Sequence, residues 1–348
     1  MKEILRNLYG TFLLLLFVAG EVCAVVFAAR EGNGALALCL AGFVSSVILA
    51  PALHEAGHVL LAKSQGMRPV FVKFFCFRFA EKEGKLRFSF ASPFAPEETQ
   101  VCPLRGGNMR RRTALYTAGG LIFGGIYLLI SLLPAFFAGR AAFFFWGSLP
   151  YAGYLFLLNA LPASYAGGRT DAAVLLGIAR GRGPERTMIS AMEIYGELAE
   201  GKSFSEMDEK WFYGSPQIAE DEPMYAIILD FRYRRALEKG EAEGAADCLN
   251  RLGGLAKDGY LSAAQAASAA AEFGYMHALQ GDAESARACA EGAEGAPKTA
   301  LFRMYAAIAR AEGDEGECAR QKEAAEGALA KEPLEGFRKS ERILLSRI

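Results

Sequence analysis

The chain has 348 residues, 52% of them hydrophobic, and a slightly positive mean hydropathy. That is too apolar for an ordinary soluble protein and too polar for one lying wholly in a bilayer, so a membrane domain joined to one soluble domain is expected. A net charge of −1 gives no general case for nucleic-acid binding, and seven scattered cysteines without C-x-x-C spacing (Cys23, Cys39, Cys76, Cys102, Cys248, Cys289 and Cys318) suggest neither a disulfide framework nor a cysteine zinc site and fit a reducing, cytosol-facing location.

Long apolar runs and most of the phenylalanines fall in the N-terminal half, and from about Gly181 the chain turns rich in Ala, Glu, Arg and Gly. The first run, residues 8–29, follows Lys2 and Arg6 and is interrupted by Glu21. It exceeds the apolar core of a signal peptide, and no polar secreted domain follows, so it reads as an anchor. A second run, 35–62, contains Leu53-His54-Glu55-Ala56-Gly57-His58-Val59, and between 35 and 61 His54, Glu55 and His58 are its only histidines, acids or bases. This is the H-E-x-x-H pattern. Positions i and i+4 share a helix face, so both imidazoles reach one Zn²⁺, and the glutamate between them is placed to act as general base. Such residues at bilayer depth imply a function.

Between the second and third runs, residues 70–79 read as a strand rich in phenylalanine, 81–84 as a turn and 86–90 as the return strand. A β-hairpin over about 69–91 at the membrane interface is therefore expected. The third run, 114–138, carries Gly119-Gly120 and Gly124-Gly125, small residues that let a neighbouring helix approach. The fourth, 141–161, leads into Asn159-Ala160-Leu161-Pro162 and on to Gly167-Gly168, where the helix must break. A short helix over 172–179 follows, with Asp171 in its first turn and Thr170 as a possible cap.

Basic residues cluster at the start, between the second and third runs, and after the fourth, whereas the other two loops hold only Arg30 and Arg140. The positive-inside rule then puts both termini, the central loop and the C-terminal domain in the cytoplasm of a multi-pass cell-membrane protein. The histidine motif lies toward that side. A catalytic zinc needs a third protein ligand, for which Glu21 and Asp171 are the main candidates. Glu21 falls near the outer end of its span, while Asp171 falls on the side of His54 and His58, so Asp171 is the expected ligand.

The C-terminal part, 184–348, reads as all-helical. Three segments end in a glycine and an acid (Gly240-Glu241, Gly281-Asp282, Gly313-Asp314), each followed by an Ala-rich stretch. A spacing of about thirty to forty residues is that of paired-helix repeats. The pattern resembles the tetratricopeptide class, with irregular spacing and without its Trp/Pro signature, and a non-repetitive bundle is the alternative. His277 reads as a surface or packing residue.

His54-Glu55-Ala56-Gly57-His58, followed by Ala62, Gly66 and the phenylalanine-rich strand, resembles the site-2 protease family of intramembrane zinc metalloproteases. That family continues with a Gly-Gly-Pro-like small-residue helix, an Asn-x-x-Pro loop and an Asp-Gly third ligand. Ala118-Gly119-Gly120, Asn159-Ala160-Leu161-Pro162 and Asp171 stand here in the same order. The resemblance covers about 35–177. It departs at Leu121 in place of proline, at Gly124 or Gly125 in place of asparagine, and at Ala172 in place of the glycine after the aspartate. It implies His54, His58 and Asp171 as zinc ligands, Glu55 as the base, and Asn159 as a substrate- or oxyanion-binding amide; from the residues alone Asn159 is equally a helix stop.

The expected protein is thus mainly α, with a membrane-embedded domain over 1–183 of about four spans and a cytoplasmic helical domain over 184–348. It would cleave membrane-spanning or membrane-associated proteins, with a regulatory protein as a possible partner of the helical domain. The rivals are a catalytically inactive membrane scaffold, against which the intact Glu55 argues, and a zinc hydrolase of small lipid-like substrates.

Overall fold

The computed structural model describes residues 2–82, 85–95, 97–165 and 168–348, with their side chains except at 2–8, 82 and 165. The expected turn residues Glu83 and Gly84, the break at Ala166-Gly167 and the basic side chains of Lys2 and Arg6 lie outside this description. The chain is mainly helical and divides into two compact units, Met1–Cys102 with Arg110–Arg182, and Pro103–Met109 with Gly183–Ile348.

Four helices are long and apolar enough to cross a membrane. They are α1 (Lys2–Arg30), α2 (Asn33–Ser64), α3 (Met109–Phe137) and α4 (Ala142–Ala160), the last entered through a 3₁₀ turn at Gly139–Ala141. Only 17% to 28% of each apolar window is buried within the chain. Phe12, Leu15, Val44, Leu129, Leu133 and Phe136 point outward, as lipid-facing side chains do, and the protein is membrane-associated.

Small residues set the helix spacing. A Cβ at Gly42 would land on the carbonyl of Phe144, and one at Gly147 on that of Cys39, so α2 and α4 touch backbone to backbone. Gly57 and Gly119 stand in the same relation between α2 and α3. Inside the bundle Ser46 donates to the Ser148 carbonyl and Ser148 to Ser131. Arg112 donates to the carbonyls of Gln65 (2.8 Å) and Gly66 (3.1 Å), satisfying groups that the end of α2 leaves unpaired.

The expected hairpin is a four-stranded sheet in the order β3-β2-β1-β4, formed by β1 (Met67–Phe74), β2 (Phe77–Lys82), β3 (Lys85–Phe90) and β4 (Glu98–Pro103). The single strand expected over 70–79 folds back at Phe75-Cys76, with Phe74 opposite Phe77 and Phe75 at φ 47°. No Gly, Asn or Asp marks this turn, and the apolar run continues across it. Phe79 pairs with Phe88 and Phe77 with Phe90, so the aromatics gather on one face. After α4, β5 (Ser164–Tyr165) and β6 (Gly168–Arg169) pair antiparallel and lead into α5 (Asp171–Arg180).

The second unit contains α6 (Gly183–Ala199), α7 (Lys210–Tyr213), α8 (Pro223–Lys239), α9 (Ala242–Lys257), α10 (Ala263–Leu279), α11 (Ala283–Glu291), α12 (Lys298–Ala311), α13 (Glu315–Leu329) and α14 (Glu335–Leu345). Gly240, Gly281 and Gly313, at φ 77°, 82° and 78°, sit at the turns of the pairs α8–α9, α10–α11 and α12–α13, where a left-handed residue ends a helix. Residues 103–109 belong here rather than to the preceding loop, since Glu193 accepts from the amides of Gly107 (2.6 Å) and Met109 (3.0 Å). An ion cluster lies in the core: Arg303 donates to Glu272 (2.6 Å) and Glu341 (2.9 Å), Arg234 donates to Glu341 (2.9 Å), and the Tyr233 phenol donates to Glu272 (2.8 Å).

Candidate metal centre

His54, Glu55 and His58 occupy the buried face of the last turns of α2, each no more than 6% exposed. The helix brings the two Nε2 atoms to 3.3 Å. His58 Nδ1 lies 3.0 Å from the carbonyl oxygen of Tyr116 in α3. A ring that donates there turns the lone pair of Nε2 toward the bundle axis.

Asp171 arrives from the other end of the unit. Thr170, itself buried, donates to the Leu161 carbonyl (2.7 Å) and accepts from the amides of Ala163 (3.1 Å) and Ala173 (3.3 Å). One hydroxyl thus closes the loop after α4 and caps α5. Asp171 in the first turn is aimed back into the bundle, its Oδ2 at 3.2 Å from His54 Nε2 and 3.3 Å from His58 Nε2. That oxygen is buried without a hydrogen-bond partner among the described residues.

Three acceptor atoms therefore face one another across a triangle with edges of 3.2, 3.3 and 3.3 Å. Tetrahedral zinc with ligands at about 2.0–2.1 Å separates its donor atoms by roughly 3.3–3.4 Å. The donor set and its spacing fit a zinc ion. Gly120 in α3 completes the cradle, because a Cβ there would lie 2.5 Å from His58 Nε2, 2.6 Å from Asp171 Oδ2 and 2.6 Å from His54 Cε1. Ligand atoms of His54, Glu55 and His58 also lie within 4.8 Å of one another. Glu55 is the less fitting third ligand, since its Oε2 already accepts from the Thr99 hydroxyl.

Asn159 is not brought to the triangle by any described contact: its amide donates to the Leu155 carbonyl one turn back in α4 (3.2 Å). Glu21, the other candidate third ligand, has a buried Oε1 without a described hydrogen bond in α1, and no described contact joins it to the imidazoles. His277 stands at the surface of the second unit, 3.8 Å from Asp282. An apolar cavity of about 590 Å³ between α1 and α4, lined by residues such as Phe17, Gly20, Trp146 and Tyr154, contains no histidine or carboxylate.

Sequence reading missed three participants. Thr99 on β4 holds Glu55, and the phenol of Tyr116 donates to the Thr99 carbonyl. Glu97, just before β4, is pushed up to about 7, by burial first and the nearby Glu55 charge second, against the pull of His54 and the buried Lys73. Glu97 and Thr99 lie in a segment that reads as loop, and Tyr116 in an apolar run, with no pattern tying either to the histidine helix. No protein family, curated protein or solved structure matches the chain.

Proposed function

We propose that the protein is an intramembrane zinc peptidase that hydrolyses peptide bonds in membrane-spanning or membrane-associated proteins. The observation that carries this reading is the triangle of His54 Nε2, His58 Nε2 and Asp171 Oδ2, spaced for one zinc ion, with a buried glutamate alongside. When bound, Zn²⁺ supplies Lewis-acid activation of water and positive charge for the developing oxyanion. His54 and His58 would hold the ion as neutral rings, the second oriented by the Tyr116 carbonyl, and Asp171 would be the third ligand. Glu55 takes the proton of the attacking water and returns it to the leaving amine. One of its oxygens is held by Thr99, leaving the other for this transfer.

Burial supports the placement of the reaction. His54, Glu55 and His58 are inside a bundle whose outer surface is apolar, so a substrate enters from the bilayer or along the sheet. A helical amide is bonded within its own helix, so the substrate must be extended before it is cut. The edge of the sheet next to the bundle offers backbone groups to such an extended segment. The distribution of basic residues supports a cytoplasmic location for both termini and the second unit, which on this reading would meet a regulatory partner there.

Glu55→Gln tests the reading. It removes the base and keeps the side-chain size, so the variant should retain about one Zn²⁺ while cleavage of a single-span reporter falls by orders of magnitude. A Glu55→Gln protein that binds zinc and cleaves like the parent overturns the peptidase reading in favour of a membrane scaffold.

A further inference from the structure

Among the described residues, Thr99 is the one side chain hydrogen-bonded to Glu55, through its Oγ1 and Glu55 Oε2. Thr99 is buried on β4 between exposed Glu98 and Gln100, so strand alternation alone turns it inward. Its backbone is fixed as well, because the Tyr116 phenol donates to its carbonyl. The backbone carbonyl of the same Tyr116 faces His58 Nδ1. One residue of α3 thereby ties together the strand that holds the glutamate and a ring of the metal triangle.

A glutamate has a free terminal torsion, and the Glu55 carboxylate on α2 accepts no described hydrogen bond from its own helix to set it. A threonine in a strand has a restricted χ1 and aims one hydroxyl in one direction. Fixing Oε2 sets the plane of the carboxylate and leaves Oε1 as the oxygen that exchanges protons. We infer that Thr99 is the positioning residue of Glu55, with Tyr116 as the latch that seats β4 against the bundle. This rests on the peptidase reading for its functional consequence and on the hydrogen bonds alone for its geometry.

The test uses the full-length protein in detergent with two independent readouts. The first is the infrared carboxyl band of Glu55, identified as the band lost in Glu55→Gln. Thr99→Val is nearly isosteric and lacks the hydroxyl, so it should shift this band, and Thr99→Ser should restore it. The second is cleavage of a quenched single-span fluorescent reporter. Thr99→Val should keep its zinc and its KM within about two-fold while kcat drops about ten-fold or more, the effect of losing a hydrogen bond to a charged group. Thr99→Ser should recover most of kcat, and Tyr116→Phe should fall between. In a Glu55→Asp background, where the shortened carboxylate no longer reaches Thr99, adding Thr99→Val should change kcat by less than about two-fold.

An unshifted Glu55 band in Thr99→Val overturns the inference whatever the activity. So does an equal kcat loss in the parent and Glu55→Asp backgrounds, which is what a purely structural role gives. Failure of the peptidase reading looks different: Glu55→Gln then cleaves like the parent, while the band shift still reports on the Thr99 contact.

Discussion

Gly120→Ala tests the proposed metal centre without replacing any of its proposed ligands. The added Cβ would sit 2.5 Å from His58 Nε2, 2.6 Å from Asp171 Oδ2 and 2.6 Å from His54 Cε1, whereas unstrained contacts of carbon need roughly 3.5 Å. Each group must retreat by about 1 Å, several times the ±0.2 Å or so that zinc coordination tolerates. Sliding α3 outward would relieve the clash only by opening the close backbone contact of the neighbouring Gly119 with Gly57. Loss of one orienting partner weakens metal sites about 10–100-fold, and here all three proposed ligands would be displaced. Zinc affinity, read by competition with a chromophoric chelator and by metal content after purification, should fall at least about 100-fold. Gly124→Ala is the control, since its Cβ meets His54 Nδ1 at an ordinary 3.5 Å. Parent-like zinc affinity in Gly120→Ala would refute the triangle as the metal site.

Arg112→Met removes the donors that cap the Gln65 and Gly66 carbonyls; it should cost about 1–3 kcal/mol, seen as a lower thermal midpoint in circular dichroism. Glu272→Gln breaks the buried ion cluster of the second unit and should cost about 3–5 kcal/mol in a denaturant titration. Burial pushes the Glu272 carboxyl up, but Arg303 and Arg234 outweigh it and hold it below the usual carboxylate range. Its stabilisation is therefore present above the unfolded-state value of about 4.5 and is lost as pH falls through the lower folded value, so acid titration of the parent should show a stability loss that Glu272→Gln lacks. Reporter fusions after Gly66, Gly181 and Ile348 should read as cytoplasmic and one at Asn33 as external; an external C-terminus would reverse the orientation.

The histidine helix was legible because i, i+4 spacing needs only local geometry, and the four long helices because an apolar run of bilayer length has few other uses. Asp171 was reached by charge asymmetry, a long-range argument that happens to act on a short loop. The sheet was only half legible. Alternation revealed β3, but the turn at Phe75-Cys76 has none of the residues that announce a turn, and Phe75 adopts a positive φ without glycine. β4 stayed invisible since Glu98-Thr99-Gln100-Val101 has only one strongly apolar side chain, and its neighbour β1 is separated from it in the sequence by β2 and β3. Thr99 and its glutamate are 44 positions apart, beyond any periodicity. The glycines were read as a single packing device, yet Gly119 serves helix approach whereas Gly120 leaves room for ligands.

The two units bury opposite kinds of residue. In the second, the interior is built on Tyr233, Tyr275, Leu249, Met304 and their neighbours, and its buried charges are met by partners, as in the Arg–Glu cluster and at Glu193. In the first, many large apolar side chains face outward, and the interior holds, beside Tyr127, Leu155 and several alanines, polar groups such as Ser46, Ser131, Ser148, Thr113 and Thr117. Without water, each of those polar groups must find a partner inside the chain, and most do. Asp171 Oδ2 is an exception, held against two imidazole nitrogens by a loop that Thr170 locks. An acceptor kept without a donor in such a place is costly for stability unless something positively charged completes it. The same triangle of acceptors in the second unit could be relieved by an arginine, as Glu272 and Glu341 are by Arg303. In the membrane unit no lysine or arginine among the described residues is paired with it, and a side chain at Gly120 would crowd it.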